Sequence, residues 1–213
     1  MSKFWSSVKG FQPISLCDWP GKVSAVLFIA GCNLRCPTCH NKELAFFHKK
    51  LSPVPREEVL SYLKKRKGWI DGIVISGGEP TLIDLEGLIT ELKKEVGLPI
   101  KVDTNGMRPE VVKKLIKKEL VDLFAVDIKG PWNKYPELTG GRCDFKSAEN
   151  KIKEIIELAK KNPSKFYFRI TKVPLLNDED IKEVEKYLPK GFKLNVQKFI
   201  DPDKKYSGGR HVY

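Results

Sequence analysis

Residues 23–39 read VSAVLFIAGCNLRCPTC, an apolar run followed by a short loop that carries three cysteines. The run extends to Ala30 and is interrupted only by Ser24. A continuous apolar segment of this length, ended by glycine, predicts a strand that is buried on both faces. We expect this strand at Lys22–Ile29, with the three thiols presented directly beyond its carboxyl end.

Further strand-like runs follow, and helical patterns separate them. The six predicted strands are Lys22–Ile29, Gly72–Ser76, Ile100–Thr104, Leu123–Asp127, Phe166–Val173 and Lys193–Phe199. The helices between them carry apolar stripes, namely Leu85, Leu88, Leu92 and Val96; Ile152, Ile155, Ile156 and Ala159; and Ile181, Val184 and Leu188. Strands that alternate with helices are usually parallel and joined by right-handed crossovers.

The number of these units predicts an unclosed barrel. Six units fall short of a closed barrel, so we expect an α/β fold, an incomplete (β/α)6 TIM-like barrel of parallel strands. An open Rossmann-like sheet is the alternative. Against it, the turn Gly31–Cys36 lacks the G-x-G-x-x-G pattern of dinucleotide-binding folds.

Unusual residues gather where each predicted strand ends. In chain order these clusters are Gly31–Cys39, Ser76–Pro80, Asp103–Gly106, Asp127–Gly130, Arg169 with Thr171, and Gln197 with Lys198. The carboxyl ends of barrel strands converge on one mouth, where the active sites of this fold lie. We therefore expect a single site assembled from all the predicted strands.

The cysteine loop has the spacing C-x3-C-x2-C at Cys32, Cys36 and Cys39. A [4Fe–4S] cube is usually held by four cysteines, so three leave one iron open to a substrate or cofactor. The alternative is a structural zinc site that adds His40 to the same thiols. Such sites usually draw their ligands from two separated segments, whereas all candidates here lie in one short loop.

This loop, together with Gly77-Gly78-Glu79-Pro80 at the next strand end, resembles the radical S-adenosylmethionine (SAM) superfamily. In that superfamily the open iron chelates the amino and carboxylate groups of the methionine part of SAM. One electron then cleaves the carbon–sulfur bond and releases methionine and a 5′-deoxyadenosyl radical. The resemblance implies an oxidoreductase with SAM and a [4Fe–4S] cluster on Cys32, Cys36 and Cys39.

Further segments narrow the resemblance to proteins that activate glycyl radical enzymes. These segments are Asp18–Lys22, Cys39–Asn41, Asp103–Gly106 and Asp127–Lys129. Within that group the chain is most similar to the activating proteins of anaerobic ribonucleoside-triphosphate reductases. The resemblance implies a glycyl radical enzyme as partner, with anaerobic ribonucleotide reductase favoured, and a flavodoxin or ferredoxin as electron donor. The alternative is a small-molecule radical SAM enzyme similar to the 7-carboxy-7-deazaguanine synthases.

The resemblance also implies backbone contacts to SAM. The backbone of Thr38, Cys39 and His40 would lie against the cofactor, although many family members carry an aromatic residue where this chain has threonine. Gly77 and Gly78 would let the backbone approach SAM closely and present N–H groups to it. The alternative for the glycines is an ordinary turn after a strand.

Polar and charged side chains would bind the methionine and ribose parts of SAM. They are Glu79, Asp103, Thr104, Asp127, Lys129 and Arg169. By the resemblance, Glu79 accepts a hydrogen bond from the SAM amino group, and the aspartates and the threonine hold a monovalent cation beside the SAM carboxylate. The lysine and the arginine would pair with that carboxylate or with the ribose. Helix capping by the acids and solvated charges are the alternatives.

The length and composition predict one domain over residues 1–213, with a core at about 20–200 between short extensions, and the resemblance implies that it is a radical SAM domain. No apolar stretch approaches the roughly 20 residues that cross a bilayer, and the start lacks the pattern of a signal peptide. We therefore expect a cytoplasmic protein with no membrane partner.

The net charge of +12 comes from lysines spread among glutamates, as in heat-adapted proteins, which disfavours a nucleic-acid partner. Cys17 and Cys143 are too few for a second cluster, and we expect both to be ordinary thiols; the alternative for Cys17 is a place near the mouth.

Overall fold

The computed structural model describes residues 3–201, apart from the side chain of His48. Within these residues the strands are β1 (Val8–Ser15), β2 (Ser24–Ile29), β3 (Gly72–Gly77), β4 (Ile100–Thr104), β5 (Leu123–Asp127), β6 (Phe166–Lys172) and β7 (Leu194–Lys198). The α-helices are α1 (Lys42–Phe46), α2 (Arg56–Lys65), α3 (Leu85–Glu95), α4 (Pro109–Lys117), α5 (Tyr135–Leu138), α6 (Phe145–Lys161) and α7 (Asp178–Glu185). Short 3-10 helices lie at Trp5–Ser7, His48–Lys50, Pro80–Leu82, Trp132–Lys134 and Pro163–Lys165.

The strands form one sheet that runs in sequence order from β1 to β7. β1 is antiparallel to β2, and the later neighbours are all parallel. Arg169 on β6 reaches Asp103 on β4 across the intervening strand, so both side chains lie on the same face of the sheet. The predicted α/β fold, an incomplete barrel of six parallel strands, is confirmed. A Rossmann-like sheet would reverse its strand order at a switch point, and this sheet does not.

The sequence prediction missed β1. This strand contains Gly10 and Pro13, and both residues are unfavourable inside a strand. β1 lies at the edge of the sheet, where a proline without an N–H group is tolerated. A register shift between Gln12 and Ser15 interrupts its pairing with β2 beside the proline.

The helices cover the outer face of the barrel with their predicted apolar stripes. The buried members are Leu85, Leu88, Leu92, Val96, Ile152, Ile155, Ile156, Ala159, Ile181 and Val184. Leu188, the last predicted member, is only partly buried. Side-chain caps by Asp84, Asp144 and Asn177 begin α3, α6 and α7, which fixes where each helix starts against the sheet.

Trp19 closes the amino-terminal end of the barrel. Its indole packs inside the barrel against Val26. Ser15 pairs with Ser24, the first residue of β2, whereas the cysteine loop follows the last residue of that strand. The exposed Cys17 therefore lies at the end of the barrel opposite the mouth, which excludes the alternative that places it near the mouth.

Within residues 3–201, no helix has the length and apolar character needed to span a bilayer. The predicted single domain extends to residues 202–213, which lie outside the described part of the chain. The domain extent therefore stays a prediction.

Candidate active site

A cavity of about 240 Å³ opens at the carboxyl ends of the parallel strands. Its walls include all the residues that the sequence singled out for the cluster and for SAM, which are Cys32, Cys36, Thr38, Cys39, His40, Gly77, Gly78, Glu79, Asp103, Thr104, Asp127, Lys129 and Arg169. Thr171 and Gln197 add the ends of β6 and β7. The structure thus brings the predicted site residues together, and their individual roles stay predictions.

The cysteine loop is held by its own backbone and by the segment that precedes α6. The Cys39 N–H donates to the Cys36 carbonyl at 3.1 Å. The Arg35 N–H donates to the Thr139 carbonyl at 3.0 Å, and the Arg35 guanidinium donates to the Cys32 carbonyl at 2.7 Å. The segment before α6 therefore braces the loop from outside.

The three thiols of this loop are free and line the cavity. Burial raises the pKa of Cys32 to about 11 and also raises the pKa of Cys36. A bound metal would replace these protons, because the thiolate and not the thiol is the ligand. Three sulfurs from one loop beside a cavity fit a [4Fe–4S] cube with one open iron.

His40 is engaged by the end of β7 and not by the cysteines. Its Nε2 lies 2.5 Å from the Ile200 carbonyl oxygen, and its ring stacks on Phe199 with centroids 5.4 Å apart. Across the described residues, no three His, Cys, Asp or Glu side chains are grouped to hold a single metal ion. The zinc alternative requires His40 to leave these contacts.

Gly77 and Gly78 are required by the neighbouring backbone. A Cβ at Gly77, where φ is +111°, would lie 2.5 Å from the Ile29 carbonyl oxygen. A Cβ at Gly78 would lie 2.0 Å from the Gly31 carbonyl oxygen. The N–H groups of Gly78 and Glu79 donate to these same two carbonyls at 2.7 and 2.8 Å. These two N–H groups therefore hold the start of the cysteine loop, and contact of the Gly77–Gly78 backbone with SAM stays a prediction.

Glu79 is a fully buried hydrogen-bond acceptor that joins β3 to β4. Its Oε1 accepts from the Thr81 N–H at 3.1 Å, the Thr81 hydroxyl at 2.6 Å and the Thr104 hydroxyl at 2.7 Å. Its Oε2 accepts from the Asn105 N–H at 2.8 Å. Burial raises the pKa of this carboxyl, and the hydrogen bonds oppose the rise. Glu79 thus caps the 3-10 helix Pro80–Leu82, as the alternative interpretation of this residue expected. A hydrogen bond from the SAM amino group to Glu79 stays a prediction.

A row of charges crosses the barrel interior, and all of its members except Lys101 line the cavity. Lys101 Nζ contacts Asp103 Oδ1, and Arg169 Nη2 donates to Asp103 Oδ2 at 3.0 Å. Arg169 Nε also pairs with Asp127, and Lys129 Nζ lies 3.4 Å from that carboxylate. We refer to Lys101, Asp103, Arg169, Asp127 and Lys129 as the charge row.

Within the charge row, Asp127, Arg169 and Lys129 shift one another's pKa. Burial alone would raise the pKa of the Asp127 carboxyl, but Arg169 and Lys129 outweigh it and hold that pKa well below its ordinary value. Burial alone would lower the pKa of Arg169 and of Lys129, yet Asp127 raises both above their ordinary values. These three groups are therefore ionised at neutral pH.

Sequence reasoning does not single out Lys101, Arg35 or Asn105 as site residues. One signal was available, because Lys101 stands two residues before Asp103 in a buried strand and both side chains must share a face. Asn105 Nδ2 donates to Asn33 Oδ1 at 2.7 Å and so ties the end of β4 to the cysteine loop. No local pattern marks such a long-range contact.

The chain matches a known family over most of its length. The model of the radical SAM superfamily matches residues 26–188. The chain therefore belongs to the radical SAM superfamily and is a radical SAM enzyme. Members of this family use a [4Fe–4S] cluster and SAM, so the predicted family and cofactors are confirmed.

Individual relatives extend this result. A protein of Methanocaldococcus jannaschii assigned as a glycyl-radical enzyme activating enzyme is 41% identical over 198 residues, which are 92% of this chain and 81% of that protein. The pyruvate formate-lyase-activating enzyme of Clostridium pasteurianum is 29% identical over 83% of this chain and 74% of its own length. The solved structure of native anSMEcpe with bound AdoMet and Cp18Cys peptide has a TM-score of 0.58 and 24% identity, over 84% of this chain and 52% of that chain. This likeness shows the shared fold, and the chain spans about half of that structure's length.

Proposed function

We propose that this radical SAM enzyme installs a glycyl radical on a partner enzyme, and that the partner is an anaerobic ribonucleotide reductase. The observation that carries the proposal is the single cavity, in which the cysteine loop meets the motifs Asp103–Gly106 and Asp127–Lys129. These motifs resemble those of activating proteins. The 41% identity to a protein assigned as a glycyl-radical enzyme activating enzyme supports the same function.

In this proposal Cys32, Cys36 and Cys39 hold a [4Fe–4S] cluster and leave one iron open. When bound and reduced, the cluster would supply the electron for reductive cleavage of SAM to methionine and a 5′-deoxyadenosyl radical, and hydrogen-atom transfer from a glycine Cα would convert that radical to 5′-deoxyadenosine. A flavodoxin or ferredoxin would supply the electron. We place this activity in the cytoplasm, where thiols such as the five free cysteines of this chain persist.

Lys129 is the cation best placed to bind the SAM carboxylate. Its side chain is 30% exposed, and its contact with Asp127 is long, at 3.4 Å. Arg169 is 15% exposed, and its Nε and Nη2 already contact Asp127 and Asp103. Lys129 therefore pairs with SAM in this proposal, while Arg169 positions Asp127. Thr38 contributes its backbone to the same cavity.

The test is the appearance of a radical on the partner. The reconstituted enzyme is mixed anaerobically with SAM, a reductant and a candidate anaerobic ribonucleotide reductase, and electron paramagnetic resonance is recorded. We expect a doublet that collapses when the glycines of the reductase are deuterated at Cα. Enzyme carrying Cys36→Ala serves as the control and should give no signal.

One outcome separates this function from the small-molecule alternative. If the reductase gains no radical while the enzyme turns over a pterin-like small molecule, the activase proposal is wrong. The family assignment would survive that result, because both activities begin with SAM cleavage.

A further inference from the structure

Lys101 is a fully buried lysine in the middle of the sheet. It lies on β4, and its ammonium contacts Asp103 Oδ1. The two residues are two positions apart on one strand, so both side chains point into the barrel. Removing an ammonium from water is costly unless it is paired with an opposite charge. Lys101 is therefore a fixed positive charge held beneath the cavity by its carboxylate partner.

Both oxygens of Asp103 are taken by protein donors. Oδ1 contacts Lys101, and Oδ2 accepts from Arg169 Nη2 at 3.0 Å and from the Ser76 hydroxyl at 3.1 Å. The second carboxylate, Asp127, pairs with Arg169 and with Lys129. The charge row thus sets three protein cations against two carboxylates. A metal ion brought to it would meet a net positive charge.

Thr104 faces the other side of β4. Its hydroxyl donates to Glu79 Oε1 at 2.7 Å and accepts from the Gly106 N–H at 3.1 Å. Adjacent residues of a strand point to opposite faces, so the side chains of Asp103 and Thr104 cannot converge on one ion. A monovalent-cation site built from the side chains of Asp103, Thr104 and Asp127 therefore does not fit their geometry.

We propose that Lys101 is the built-in cation of this site and that its ammonium takes the place of a monovalent metal ion, so that this enzyme binds SAM without one. Lys101 is a positioning residue. Through Asp103 it fixes Arg169, and Arg169 in turn fixes Asp127 at the cavity wall. The inference rests on the proposed binding of SAM in this cavity and is independent of which partner enzyme is activated.

The wild-type enzyme tests this inference without any substitution. Equilibrium dialysis against radioactive rubidium, in the absence of SAM, should show no stoichiometric binding. The SAM affinity of the reconstituted enzyme should be the same in sodium, potassium and tetramethylammonium chloride at equal ionic strength. One rubidium ion per chain, or an affinity loss of about tenfold in tetramethylammonium, would overturn the proposal.

Lys101→Met supplies the complementary test, because methionine keeps nearly the length of the lysine side chain and removes its charge. We expect this variant to bind one rubidium ion per chain and to lose SAM affinity by about tenfold when tetramethylammonium replaces potassium. Lys93→Met is the matched control, since Lys93 is a partly exposed lysine that also pairs with an aspartate, Asp122, and it should behave as wild type.

Circular dichroism establishes that the variants are folded. A folded Lys101→Met that binds no rubidium would overturn the proposal, and Lys101→Gln replaces that variant if it does not fold. The rubidium measurements involve neither SAM nor a partner enzyme. Their failure is therefore distinguishable from a failure of the proposed activase function.

Discussion

At Gly78 the molecule has no room for a side chain. A Cβ there would lie 2.0 Å from the carbonyl oxygen of Gly31, the residue before Cys32. We expect Gly78→Ala to displace the start of the cysteine loop and to lower the free energy of unfolding by about 1–3 kcal/mol. Iron loading after anaerobic reconstitution should fall as well. Thermal unfolding and iron per chain measure the two effects.

Gly141→Ala is the control for this prediction. Gly141 has φ of +72° and nothing within 4 Å of an added Cβ, so alanine brings backbone strain without a collision. It should cost about 1 kcal/mol and leave iron loading unchanged. Full iron loading in Gly78→Ala would show that the close approach to Gly31 does not hold the cysteine loop.

The Glu79 carboxylate receives four hydrogen-bond donors and is fully buried. In Glu79→Gln an NH2 group must face at least one of those donors. We expect a loss of about 1–3 kcal/mol in the free energy of unfolding, measured with urea before any SAM is added. Glu149→Gln, which alters an exposed pair with Lys153, should stay within about 0.5 kcal/mol of wild type. Equal free energies of unfolding for Glu79→Gln and Glu149→Gln would show that the hydrogen bonds of Glu79 do not stabilise the fold.

At the scale of elements, the ion pair of Asp127 and Arg169 joins the carboxyl end of β5 to the middle of β6. The pKa of Asp127 is lowered in the fold from an ordinary value of 3.8. Its contribution to stability is therefore fully present above that value and is lost as the pH falls toward the folded pKa. Asp127→Asn should cost about 1–3 kcal/mol at neutral pH and should flatten the loss of stability below about pH 5.

Urea unfolding of the metal-free protein across the acid range measures this effect. Asp178→Asn is the control, because Asp178 pairs with Lys172 at the surface and its side chain is 74% exposed. That variant should follow the wild-type curve closely. If stability falls with pH equally in wild type and in Asp127→Asn, the ion pair of Asp127 with Arg169 does not contribute to stability and the prediction is contradicted.

β2, β3 and β5 could be predicted from the sequence because they are largely buried and their apolar runs are nearly continuous. β4 and β5 lie where the sequence predicts them, at Ile100–Thr104 and Leu123–Asp127. β1 could not be predicted, because Gly10 and Pro13 read as a turn unless the strand is known to lie at an edge. Its place depends on the sheet that it joins.

The position of the cavity could be predicted because the carboxyl ends of the strands converge in a barrel. The partners of each side chain could not. Glu79 meets Asn105 and Gly78 meets Gly31 only after β2, β3 and β4 are assembled. The role of Lys101 could not be predicted either, because it depends on Asp103 contacting both Lys101 and Arg169 in the folded barrel.

At the scale of the whole molecule, the chain carries a formal charge of +12. This net value already counts the acidic residues, some of which pair locally, as Glu149 does with Lys153 and Glu157 with Lys160. The net positive charge should speed the encounter with an acidic partner surface and be screened by salt. We expect the rate of radical installation to fall between about 0.05 M and about 0.5 M sodium chloride.

SAM cleavage without the partner is the control for this salt dependence. It should be insensitive to salt over the same range, because it involves no encounter between proteins. A partner reaction that is equally fast at both salt concentrations would show that docking does not depend on these lysines.

The most direct measurement is the SAM cleavage of reduced, reconstituted protein, followed as 5′-deoxyadenosine and methionine by mass spectrometry. Wild type should bind about four irons per chain and form the two products in equal amounts. Iron binding and SAM cleavage should both be lost when a loop cysteine is replaced, in Cys32→Ala, Cys36→Ala and Cys39→Ala. Cys143→Ala should keep iron binding and SAM cleavage, because Cys143 is buried against Met107 away from the cavity. Zinc without iron after anaerobic reconstitution, or cleavage that survives loss of a loop cysteine, would contradict the assignment.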